Sequence, residues 1–123
     1  MILVDTSVWV DHLNKTDRAL NALLLQDRVR IHPLIVGELA MGNLRPRAPI
    51  LLFLRRLPSV IIASHDEVLH FISQHKLFGL GIGYIDAHLI ASVHLTPAAT
   101  LWTRDKRLAR VAETLNVAFL PSR

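Results

Sequence analysis

The chain has 123 residues, 51% of them hydrophobic, and a mean hydropathy of +0.36: one core's worth of chain, with more apolar side chain than a core this size absorbs. It has no cysteine, which excludes disulfides, zinc thiolates and a thiol nucleophile. Asp5 and Asp11 interrupt any leader core and no apolar run reaches the ~18 residues of a membrane span, so a soluble cytoplasmic protein is expected.

In chain order, Ile2, Leu3 and Val4 form a short branched apolar run that reads as a buried strand, stopped by Asp5. Thr6 and Ser7 follow as helix-start residues, and helices are predicted over 6–13 and 16–27. A second strand over 29–32 precedes Pro33, which suits the first turn of a helix over 33–43 ended by Gly42 and Asn43. Another helix spans 47–57 and stops at Pro58. A third strand is predicted over 60–63, then a helix capped by Ser64 and running to about Phe78. A Gly-rich turn over 79–83 leads into a helix over 84–95. Beyond Pro97 come a strand over 100–103, a helix over 105–115, a turn at Asn116 and a last strand over 117–120. Strands alternating with helices predict a single α/β domain with a parallel sheet and right-handed crossovers.

Four acids stand where a carboxylate is hard to justify structurally. Asp5 ends a buried strand, at the sheet edge where open α/β folds collect ligands, although capping the first helix is the plain alternative. Glu38 has Leu34, Ile35, Met41 and Gly42 as helical neighbours, which predicts an inward face; a salt bridge or a solvent-reaching edge position is the alternative. Asp86 falls on the stripe of Leu89, Ile90 and Val93, near a helix start where it also meets the helix dipole. Asp105 follows a strand and opens a helix, so capping and chemistry are both expected of it. Converging carboxylates repel, and an oxygen-only donor set suits a hard cation such as Mg²⁺ or Mn²⁺, which acts on phosphoryl chemistry. Lys and Arg number 14 against 10 acids, a net charge of +4, with clusters at Arg45/Arg47, Arg55/Arg56 and Arg104/Lys106/Arg107/Arg110 that can track a phosphate backbone.

Four segments carry a resemblance: Val4-Asp5-Thr6-Ser7-Val8-Trp9, Gly37-Glu38-Leu39-Ala40-Met41-Gly42, the run from Gly83 to Ser92 around Asp86, and the run from Leu101 to Leu108 around Asp105. Together, and in this order along the whole chain, they resemble PIN-domain ribonucleases of the VapC toxin type. The resemblance implies a five-stranded parallel sheet of order 3-2-1-4-5 flanked by helices in three layers. It implies Asp5, Glu38, Asp86 and Asp105 as metal-binding acids, with Thr6 and Thr103 as hydroxyls supporting them. It further implies cleavage of structured RNA such as tRNA or rRNA, and silencing by a VapB-like antitoxin. Asn116, where the family usually has Gly, is the departure noted, and it lies away from the acids.

Arg45, Arg47, Arg104, Lys106 and Arg107 are the residues expected to grip RNA, and the apolar surplus predicts a homodimer. A catalytically silent binding module, its acids occupied by a partner's arginine, is the competing reading. A phosphoacceptor domain is disfavoured because no Lys follows the late strand in the expected place. The Gly79-x-Gly81-x-Gly83 run follows a helix and lacks a closing Lys-Ser/Thr, so it reads as a turn and not a nucleotide loop. His70 and His75 lack the i, i+4 spacing of a helical metal pair, and His88, two residues from Asp86 on a different helix face, reads as structural. Asp11 is expected to pair with a nearby base, and Trp9 and Trp102 read as core or interface aromatics.

Overall fold

The computed structural model describes residues 1–121. Its first strand, β1 (Ile2–Val4), is fully buried on both faces, as a continuous run of branched side chains in a parallel sheet requires. After it come helices α1 (Thr6–Asn14) and α2 (Arg18–Leu25), strand β2 (Val29–Arg30), and helices α3 (Pro33–Ala40), α4 (Arg47–Arg56), α5 (His65–Gln74) and α6 (Tyr84–Leu95). Strand β3 (Thr100–Trp102) and helix α7 (Lys106–Thr114) complete the order. Both β2 and β3 pair with β1 in parallel, giving the order β2-β1-β3. Pro33 sits in the first turn of α3, Ser64 and Glu67 close a capping box on α5, and Asn116 takes a positive φ of 61°.

Two of the five predicted strands are not strands here. Just ahead of the segment over 60–63 a single parallel bridge joins Ser59 to Ile31, and the segment over 117–120 meets the sheet through a bridge between Leu101 and Ala118. The first bridge involves Ile31, just beyond β2, and the second joins Ala118 to Leu101 of β3, so the predicted succession is present as three strands and two single rungs. The cause is visible beside the first rung. Val60 N–H still donates to the Ile31 carbonyl, but Ile61 N–H goes to Thr96 Oγ1 and Ala63 N–H to Ser92 Oγ. Side chains of α6 and its C-cap thus take the donors that a ladder would use. At the other edge Phe119 N–H donates to the Leu101 carbonyl, and Pro121 follows without a donor.

Helix α6 is the centre of the packing, with Ala87, Leu89, Ile90, Ala91, Ser92 and Val93 all buried. It packs against α5 and β3, while α3 packs against α1 and α4. Trp9 and Trp102 are both buried, as core aromatics. The helices predicted over 33–43 and to Phe78 end sooner, at Ala40 and Gln74. Phe78 and Leu80 are left exposed, and so are Leu52, Phe53, Ile61, Ile62 and Leu69, which accounts for much of the apolar surplus. No helix among the described residues is long and apolar enough to cross a membrane.

Candidate active site

The parallel register that sets Val4 beside Trp102 brings the ends of β1 and β3 together, so Asp5 and Thr103 emerge side by side at the carboxyl edge of the sheet. Asp5 occupies the N-cap position of α1 yet makes no capping bond. Its carboxylate is instead buried and held by two hydroxyls: Thr103 Oγ1 donates to Oδ2 at 2.7 Å and Ser7 Oγ donates to the same oxygen at 2.9 Å. Each hydroxyl also accepts a backbone N–H, Ser7 from Arg104 at 3.0 Å and Thr103 from Asp105 at 3.1 Å. With those N–H groups filling acceptor positions, both hydroxyl protons point at Asp5. Oδ1 accepts no bond among the described residues.

Asp105 caps α7 through Oδ1, accepting Leu108 N–H at 2.9 Å, and is otherwise exposed. Asp86 is half-buried at the start of α6, where Oδ2 accepts Gly83 N–H at 3.2 Å. Burial pushes its pKa up, the Gly83 bond opposes that, and the charges of Asp5, Asp105 and Glu38 push it further up. All four acids therefore share one electrostatic site. Glu38, however, does not face inward. Ile35 and Leu39 are the buried residues of α3, Met41 is 89% exposed, and Glu38 is exposed at the crevice with Oε1 accepting the Thr6 hydroxyl at 2.8 Å. The helix ends at Ala40, so Met41 and Gly42 do not belong to its apolar face.

The donor set is oxygen throughout, which fits a hard divalent cation, and the charges that add to the effect of burial on Asp86 are ones a cation would offset. Among the described residues, no three His, Asp or Glu side chains already stand close enough to share one ion.

The basic residues divide into two groups. Arg104 is committed elsewhere, its guanidinium 2.6 Å from Asp11 Oδ2 and 2.6 Å from Asp17 Oδ2, and 5.6 Å from the Trp102 ring centroid. That gives Asp11 its expected basic partner and engages the Arg104 guanidinium with two carboxylates. Arg47 donates to the Ala40 carbonyl at 2.8 Å. Arg45 joins Glu38, Val10, Leu13 and Leu44 in lining a cavity of about 390 Å³ beside the acids. Lys106 and Arg107 are exposed at the start of α7. His88 keeps Nδ1 buried with no partner among the described residues, its ring edge-on to His32 at 4.9 Å; His70 is exposed and His75 packs on Phe71.

Two residues of this region carry roles that sequence reasoning missed. Ser7 supports Asp5 as directly as Thr103 does; two hydroxyls directly after Asp5 were the signal, and only one was read that way. His32, buried at the start of α3, bonds Ser92 Oγ of α6 at 3.1 Å and so ties the helix of Glu38 to the helix of Asp86. No periodicity points to it.

Comparison with known proteins gives the family of the chain. The PIN domain family model matches residues 2–114. Ribonuclease VapC32, in two strains of Mycobacterium tuberculosis, is 45% identical over 118 residues, covering 96% of this chain and 95% of that protein. A match over nearly the full length of both leads to one conclusion: the chain belongs to the PIN-domain family, among the VapC-type ribonucleases.

Proposed function

We propose that this protein is a divalent-metal-dependent endoribonuclease acting as the toxin of a toxin–antitoxin pair in the cytoplasm. The observation that carries the reading is geometric: Asp5, buried at the end of β1, is held by the hydroxyls of Ser7 and Thr103 and makes no capping bond, and the charges of Asp5, Asp105 and Glu38 all reach the half-buried Asp86. Asp5, Glu38, Asp86 and Asp105 would hold Mg²⁺ or Mn²⁺. Such an ion, when bound, supplies Lewis acidity toward the scissile phosphate and toward the attacking water.

The chain's own residues do the positioning. Ser7 and Thr103 fix Asp5 by its Oδ2, while Thr6 fixes Glu38. Asp105 is aimed by its capping bond, and Asp86 by the Gly83 amide. Ionised carboxylates in this crevice repel a polyanion, so phosphate is admitted only once their charge is offset.

Structured RNA, tRNA or rRNA, is the proposed substrate class. A VapB-like antitoxin is the proposed partner, its tail lying in the apolar cavity that Glu38 and Arg45 line and placing a basic side chain among the acids. The exposed apolar side chains support a homodimer. Purified protein incubated with total RNA and Mg²⁺ or Mn²⁺ should give discrete products that EDTA, Asp5→Asn and Asp86→Asn each abolish. Absence of products, or products indifferent to EDTA, would leave the silent binding module as the better account.

A further inference from the structure

Four carboxylates concentrate negative charge where an RNA strand must enter, so the cations that hold it must stand beside that cluster. Arg104 is held by Asp11 and Asp17, and Arg47 by a carbonyl. On the far side of the Gly79–Gly83 turn the balance of charge is different. A cavity of about 350 Å³ lies between the end of α5, this turn and α7, lined by Lys76, Arg107 and Arg110 over an apolar floor that includes Leu77 and Leu80, with His75 in its wall. No carboxylate lines it, and the ion pairs found among the described residues are those of Arg104. Three like charges around one concavity repel unless an anion sits among them.

The way these cations are placed links the cavity to the acids. Arg107 and Arg110 lie three residues apart on α7, on one face, with Arg110 roughly 7.5 Å along the axis from the capping Asp105. Lys76 follows the end of α5 with φ 54°, a left-handed conformation for which Gly or Asn is the usual choice. Arg107 lies against the turn so closely that a Cβ on Gly81 would fall 2.9 Å from its Cδ, and Gly81 itself has φ +80°. The same turn ends at Gly83, whose N–H holds Asp86. Two elements, the turn and the start of α7, therefore serve both the acids and the basic cavity.

We propose that the groove formed by Lys76, Arg107 and Arg110 is a binding subsite for the phosphodiester backbone of the substrate RNA, across the Gly79–Gly83 turn from the acids. The inference rests on the ribonuclease reading for the identity of the polyanion; the groove's charge and its shared elements with the acids are independent of it. An acidic protein segment is the competing occupant; the antitoxin tail proposed above meets the acids through a basic side chain and so does not supply one.

The test measures binding of a fluorescent single-stranded RNA to the Asp86→Asn protein in EDTA, across a range of salt concentrations. Lys76→Ala and Arg110→Ala should each weaken binding several-fold and reduce the slope of log K against log salt by about 0.7, and the double variant by about 1.4. Arg28→Ala is the control at the opposite edge of the sheet, where the Arg28 carbonyl meets Ile2 N–H, and should change nothing. An unchanged slope in the double variant, or a loss matched by Arg28→Ala, overturns the subsite. So does a double variant that loses polyglutamate binding while keeping its RNA slope. Cleavage measured in parallel separates the two readings: activity surviving in Asp86→Asn removes the acid site, whereas an unaltered salt slope removes the groove.

Discussion

His32 makes the protein acid-labile by an amount that its surroundings define. The ring is 1% exposed, and its Nδ1 accepts Leu34 N–H at 3.1 Å, so the neutral ring must carry its proton on Nε2 and donate it to Ser92 Oγ. Protonation would place a second proton on Nδ1 against an N–H donor, inside a core. Burial first, and the neighbouring His88 second, lower its pKa from 6.5 to about 4. The unfolded chain takes up this proton near pH 6.5 and the folded chain only near pH 4, so between those values the unfolded state binds more protons and stability falls as pH falls. The full difference is about 3 kcal/mol at 1.36 kcal/mol per unit, a large part of the roughly 5–15 kcal/mol that holds a domain together. Urea unfolding at pH 7.5, 6, 5 and 4.5 should compare wild type with His32→Asn, whose side-chain oxygen can still cap α3 but neither reaches Ser92 nor titrates. The variant should be the less stable at pH 7.5, and the two should converge steadily as the pH drops below 6.5. Curves that stay parallel down to pH 4.5 would refute both the neutral state of His32 and its assigned tautomer.

Three further outcomes follow from the same structure. Asp86→Asn removes one of four repelling charges at nearly constant volume, so the metal-free protein should melt higher while cleavage is lost, and its stabilisation by Mg²⁺ should fall well short of the wild type's, which reaches about 1.4 kcal/mol at ten times the dissociation constant. Ser7→Ala and Thr103→Val each strip one donor from Asp5 Oδ2; each should cost about 1–3 kcal/mol by urea unfolding and weaken Mn²⁺ binding measured by calorimetry, with the double variant losing more than either. Arg104→Ala breaks the bonds to Asp11 and Asp17 at the surface, so the thermal midpoint should fall slightly while the salt dependence of RNA binding stays as in wild type; a flatter slope would return Arg104 to the RNA contacts.

What the sequence made legible is what local chemistry determines. Ile2–Val4 followed by Asp5 fixes a buried strand with an acid at its end, because a run of branched apolar residues has few other uses. Helix α6 starts at Tyr84 and ends at Leu95, as its apolar pattern and Pro97 require, and that puts Asp86 in its first turn. The features that escaped depend on partners far along the chain. Whether 60–63 pairs as a strand depends on Thr96 and Ser92, more than twenty residues away, reaching its amides first. Whether Arg104 is free depends on Asp11 and Asp17, some ninety positions earlier. The inward face read for Glu38 failed because two residues beyond the end of α3 were counted as helical.

These misses share a cause with the organisation of the site. Hydroxyls, amides and imidazole on different elements bond one another wherever the fold brings them within 3 Å, and spacing along one element carries no trace of that. The acids are different, since an ionised carboxylate on an apolar pattern conflicts with its own local context, and the conflict is written in the sequence. A catalytic charge is therefore easier to find from sequence than the neutral groups that aim it. Here Ser7 and His32, both uncharged in the folded state, hold respectively the carboxylate of Asp5 and the two helices that carry Glu38 and Asp86.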